Sequence, residues 1–147
     1  MCAGGIPTPT DDHTIRMVNA GLEIREYIRK RNDIRRSMSL PPWELRIGIH
    51  VGPIVAGVVG RKKYAYDIWG STVNIASRME SNGEAGSLNV SAAVYNQIKD
   101  QYQCTYRGKI YAKNIGEIDM YFVDKELAKQ IPTYVPKEEF PTDAVAS

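Results

Sequence analysis

A chain of 147 residues with 43% hydrophobic and 24% charged residues is sized for one globular domain with a core of its own. A net charge of +2 is too small to indicate a polyanionic partner, and two distant cysteines, Cys2 and Cys104, with no CxxC and no histidine at metal spacing, indicate neither a zinc site nor a disulfide framework. No apolar run approaches the roughly 20 residues that cross a bilayer, and MCAGGIPTPT has neither region of a signal peptide, so a cytoplasmic segment without membrane contact is expected, free or as part of a membrane-anchored protein.

In chain order, Asp11 and Asp12 are placed to cap a helix from about Thr14 to Arg31. Met17, Ile24 and Ile28, broadened by Val18 and Leu22, give it the wide apolar stripe of a helix packed on a sheet. The basic run RKRNDIRR, residues 29 to 36, reads as a solvated helix end whose cations complement the C-terminal dipole. Without aromatic residues interleaved in the run, it does not support nucleic-acid binding.

Pro41 and Pro42 break the chain before ELRIGIHVG, where Leu45, Ile47, Ile49 and Val51 alternate as in a half-buried strand, with His50 structural. Gly52-Pro53 then reads as a hairpin turn pairing this strand with IVAGVVG. YAYDI, residues 64 to 68, is a further strand, broken by Trp69-Gly70-Ser71 before a helix from Thr72 to Ser81 that ends at Asn82-Gly83. LNV at 88 to 90 is a short strand, and Ser91 caps a helix to about Asp100. YQCTYRG and EIDMYFV complete an α+β domain with a largely antiparallel sheet flanked by helices. The domain is expected over residues 1–123; residues 124–147, with Pro132, Pro136 and Pro141, read as a linker or terminal extension.

The stretch YAYDIWGSTVNIASRMES concentrates the chemistry. Asn74 and Arg78 are four residues apart on a helix and share one face. An amide beside a guanidinium suits an oxygen-rich anion such as a phosphate, and Asp67 can accept a hydrogen bond from an amino group nearby. The same residues also fit a plain surface, with Asn74 solvated and Arg78 paired with Glu80 or Glu84.

The run GIHVGPIVAGVVGRKKYAYDIWGSTVNIASRME, residues 48 to 80, closely resembles the core of the class III nucleotidyl cyclases, in particular bacterial-type adenylate cyclases. The resemblance continues through NVSAAVYNQIKD and YRGKIYAKNIGEIDMYFV, from Met1 to about Val123. It implies a ferredoxin-like cyclase catalytic domain that works as a homodimer with composite sites at the interface, converts ATP to cyclic AMP and pyrophosphate in intracellular signalling, and receives its signal from upstream sensor or regulatory domains. Within it, Asp67 matches the residue that reads adenine, with the Ile68 backbone beside the base. Asn74 matches the residue that orients the ribose, Arg78 the one that stabilises charge on the reacting phosphate, and Lys113 a lysine that binds the triphosphate.

The resemblance also implies two Mg²⁺ or Mn²⁺ ions held by two aspartates. These aspartates, the lysine that helps Asp67 read adenine, and the N-terminal strands that carry them are expected upstream of Met1, so no residue of this chain is assigned to metal. The 147-residue chain by itself is accordingly expected to be inactive and prone to associate, with two sheet edges uncovered. Ser71 stands where Asp or Asn is usual, its hydroxyl still able to cap the helix, and Asn114-Ile115 stands where Gly-Lys is common. Guanylate cyclase activity, or a non-catalytic dimerisation domain, are the alternatives.

Overall fold

The computed structural model describes residues 1–60, 64–112 and 115–127. Its elements, in chain order, are α1 (His13–Ser37), β1 (Ile47–Ile49), β2 (Val55–Val59), β3 (Ala65–Trp69), α2 (Ser71–Ser81), β4 (Leu88–Ser91), α3 (Ala92–Ile98), β5 (Tyr102–Ala112) and β6 (Gly116–Glu126). The expected α+β architecture is present. A four-stranded sheet in the order β1-β4-β6-β5 is parallel at β1-β4 and antiparallel elsewhere, and β2 and β3 form a separate antiparallel ribbon.

Strand alternation decides which helix covers which face. Ile49, Leu88, Val90 and Val123 point to the side where Val18 of α1 and Val94 and Ile98 of α3 close the larger core. On the opposite face Met120 packs with Ile75 and Met79 of α2, flanked by Ile110 and Ile118. Covering both faces explains why Leu88 to Ser91 are all buried and why β6 reads apolar on both sides.

Three local expectations are corrected. α1 continues to Ser37, six residues beyond Arg31. Glu26 and Asp33 pair one turn away with Arg29, Lys30 and Arg36, which removes the self-repulsion that a basic run would otherwise bring to a helix end. Asp12 occupies the cap position of α1 without a side-chain capping bond, because its carboxylate pairs with Arg16 at 2.7 Å. The third correction is to pairing: β1 does not form a hairpin with β2. β1 instead lies parallel to β4, and β2 pairs with β3 across the Gly57↔Asp67 register. Both faces of β1 are covered, whereas β2 carries small residues with water on most sides, so the Gly52-Pro53 turn takes the chain out of the sheet.

The Lys113 position lies outside the described residues, as does the chain from residue 128 onward. β6 itself runs to Glu126, three residues past the expected domain end.

Candidate nucleotide site

Asp67 lies in the middle of β3, exposed, opposite Gly57, where the partner strand presents no side chain to crowd it. One carboxylate oxygen accepts a hydrogen bond from the Ile68 N–H at 2.8 Å, fixing the acid against the Ile68 backbone. The strand ends at Trp69, just before Gly70, whose φ of 136° lies where only glycine is comfortable and whose carbonyl accepts from the Val73 and Asn74 N–H groups. The helix therefore starts at Ser71, with Gly70 at the cap and no side-chain capping bond. The capping role expected of the Ser71 hydroxyl is not what the structure shows, since the serine is already inside the first turn.

Burial of Thr72, Ile75 and Met79 fixes the rotation of α2 and leaves Asn74 and Arg78 on an exposed face one turn apart. The helix is fastened along its length. The Thr72 hydroxyl donates to the Pro53 carbonyl at 2.6 Å, and the fully buried Asn89 amide donates to the Met79 carbonyl at 2.8 Å. Beneath the last turn lies Gly48, where an added Cβ would fall 2.0 Å from the Glu80 nitrogen, so backbone packs directly on backbone.

The acids nearest Arg78 in sequence pair with other arginines. Glu80 faces Arg46 at 3.3 Å, and Glu84 faces Arg107 at 3.2 Å. Both acids that could have held Arg78 are engaged elsewhere, and among the described residues the Arg78 guanidinium has no ion-pair or hydrogen-bond partner.

A groove of about 520 Å³ runs between α1, β1 and α2, and Ile68, Val73, Ala76 and Glu80 contribute to its wall. Ile68 faces it, whereas Asp67, Asn74 and Arg78 do not line it. The stretch thus presents Ile68 inward to the groove and the other three residues outward. His50, read as structural, lines the groove with Nδ1 2.7 Å from the buried Ser91 hydroxyl, and burial lowers its pKa. That contact also explains why Ser91 precedes α3 without capping it, and α3 ends at Ile98, two residues short of Asp100.

Among the described residues no group of three or more His, Cys, Asp or Glu side chains could hold a metal ion. The donor set present does not fit the pair of divalent ions that the resemblance implies. No helix among the described residues is long and apolar enough to cross a membrane.

Sequence reasoning missed the residues that hold the helix. Gly48 had a legible signal, a glycine inside a strand pattern, which commonly marks close approach of another backbone. Arg107 had none, because its partners are 23 and 25 residues away.

Comparison with known proteins bears on the family and the fold. The family described as adenylate and guanylate cyclase catalytic domain matches residues 1–125. An adenylate cyclase of Mycobacterium tuberculosis is 37% identical over 123 residues, covering 84% of this chain and 27% of that protein. The guanylate cyclase soluble subunit beta-2 of Homo sapiens is 34% identical over 144 residues, covering 97% of this chain and 23% of that protein. The chain thus spans about a quarter of the length of these relatives. Among solved structures, the adenylyl cyclase CyaB from P. aeruginosa superposes with a TM-score of 0.76 at 29% identity, over 83% of this chain and 65% of that one. The guanylate cyclase domain of RhGC from Catenaria anguillulae, in complex with GTP, gives 0.74 at 32% identity, over 84% and 66%. With its α+β fold and a family match over most of its length, this chain belongs to the class III nucleotidyl cyclase catalytic domains.

Proposed function

We propose that the domain converts ATP to 3′,5′-cyclic AMP and pyrophosphate, at composite sites formed with a second copy, as part of intracellular signalling. The observation that carries this reading is the Asn74–Arg78 face, exposed and unpaired while Glu80 and Glu84 are each neutralised by another arginine. A cationic group left without a protein partner on a firmly held helix is arranged for an external anion.

The reaction needs the ribose 3′-hydroxyl to attack the α-phosphate in line as pyrophosphate leaves, so positioning and charge neutralisation are the work to be done. Asn74 orients the ribose, Arg78 neutralises charge developing on the phosphoryl oxygens, and Lys113 binds the triphosphate. Asp67 selects the base, its second carboxylate oxygen free to accept from the adenine amine, with the Ile68 backbone alongside. Dependence on Mg²⁺ or Mn²⁺ belongs to the proposal, with no ligand assigned to this chain. The exposed side chains Val55, Val58, Tyr64 and Tyr66 on and beside the β2-β3 ribbon support association with a second domain.

Arg78→Ala should lower kcat by roughly 10² with little change in KM when the domain is assayed in its active assembly. A variant that loses affinity and keeps its turnover would refute the role.

A second reading, cyclisation of GTP, is favoured by guanylate cyclase relatives at nearly the same identity as the adenylate cyclases. Parallel assays with ATP and GTP decide between them, the proposal requiring higher kcat/KM for ATP.

A further inference from the structure

β3 turns two different sides to its surroundings. Alternation places Tyr66 and Ile68 on one side and Asp67 and Trp69 on the other. Ile68 lines the groove between α1, β1 and α2, so Asp67 and Trp69 share the side that faces away from it. Across the ribbon, Gly57 stands directly opposite Asp67, and Val55 stands opposite Trp69. A Cβ built on Gly57 would lie 3.8 Å from Cζ3 of the Trp69 ring, so the indole reaches diagonally over the gap that the glycine leaves. Gly57 is accordingly half-buried, although the residues on either side of it in β2 are exposed. Cβ positions of directly opposed residues stand roughly 5 Å apart, which sets the indole edge beside the foot of the Asp67 side chain.

Trp69 is 39% exposed, so ring surface is open to water at this place. A carboxylate on an exposed strand is a weak holder of a base by itself, because water competes for the same amino group. An aromatic face next to it supplies what the carboxylate lacks, since every base has a π-face that can stack and shed water. Trp69 also immediately precedes Gly70, the cap of the helix that carries Asn74 and Arg78, so it stands in the chain between the residues proposed for the base and for the ribose.

We propose that Trp69 is a substrate-binding residue whose indole supports the purine held at its edge by Asp67, with Gly57 leaving room for the ring. The inference rests on the reading of Asp67 as the base-selecting residue. It divides the work between neighbours on one strand face: Asp67 chooses between bases, and Trp69 adds affinity for either purine.

The test follows the indole signals as well as turnover. In nitrogen-15 NMR of the 147-residue chain titrated with ATP, with EDTA holding free divalent ions away, the Trp69 indole N–H should shift together with the Ile68 amide. The Trp43 indole, with the Arg35 guanidinium 4.7 Å from its ring centroid, is the internal reference and should stay in place. In the active assembly, Trp69→Ala should raise KM roughly tenfold for ATP and for GTP alike with little change in kcat, and Trp69→Phe should recover most of the loss. Gly57→Leu, which fills the place under the ring, should raise KM in the same way with Trp69 still present. A Trp69 indole that stays still, equal shifts of both indoles, a change confined to one nucleotide, or a loss of kcat at unchanged KM overturns the proposal. So does a Trp69→Ala variant that needs more protein to reach full activity and then shows the parent KM, which would place the ring in the contact between copies. An Ile68 amide that moves while the Trp69 indole does not sinks this inference alone, whereas the cyclase reading fails if the unsubstituted assembly makes no cyclic nucleotide.

Discussion

β3 and α2 are adjacent in the chain and differ in how they are held. α2 is fastened at its start by Thr72, along its buried face by Ile75 and Met79, and at its end by Asn89, Gly48 and Arg107. Among the described residues β3 pairs only with β2, in a ribbon outside the main sheet whose residues are mostly exposed, and an isolated two-stranded ribbon is marginal in water. Asn74 and Arg78, proposed for the ribose and for charge on the reacting phosphate, thus stand on the firmly held element, and Asp67, proposed for the base, stands on the exposed one. Charge neutralisation in a transition state depends on groups held in advance, whereas base selection can be completed by a partner surface.

The sharpest way to break this contrast is Gly48→Val. With an added Cβ only 2.0 Å from the Glu80 nitrogen, there is no room for any side chain, so α2 must move off the sheet. A loss of about 3 kcal/mol or more in denaturant unfolding is expected, with Arg78 displaced. An unchanged midpoint would show that α2 is not seated where its packing places it. Next in size, Met79→Ala empties a fully buried position in the smaller core and should cost about 2–5 kcal/mol, measured in the same way.

On the ribbon the expected effects are reversed. Asp67→Ser should stay within about 0.5 kcal/mol of the parent in stability, because Asp67 is exposed and its carboxylate bonds only locally. It should nevertheless reduce the preference for ATP over GTP by roughly tenfold, the worth of one charge-assisted hydrogen bond. A stability loss as large as that of Met79→Ala would mean that the ribbon is part of the core after all.

The smallest effect concerns pH. Burial holds His50 below its ordinary pKa, so as pH falls below about 6.5 the unfolded chain takes up a proton before the folded one does. Stability is complete above that value and declines as pH falls towards the lower folded pKa. Thermal unfolding from pH 7 to 5 should show this slope, and His50→Gln should flatten it. An equal slope in both proteins would place the titration elsewhere.

Much of the fold was legible because alternation and helical spacing are local signals. Ile47 and Ile49, Ile75 and Met79, and Ile118 and Met120 all face a core as their periodicities require. The pairing of β1 was not legible. Gly52-Pro53 announces a change of direction, and nothing near it says whether the next strand returns to the same sheet or leaves it. α1 ran past its expected end because charge pairs within the helix outweighed the basic run as a stop signal.

The candidate site divides along the same line. The sequence by itself determined that Asn74 and Arg78 share a helical face, since a spacing of four residues puts both on one side of a helix. It could not determine whether Arg78 was free, because that depended on where Glu80 and Glu84 found their partners. Only the tertiary structure placed Arg46 of the segment before β1 and Arg107 of β5 beside those acids, across separations of 34 and 23 residues. An ion pair carries no periodicity in the sequence, so its choice of partner is fixed only when the sheet and helix meet.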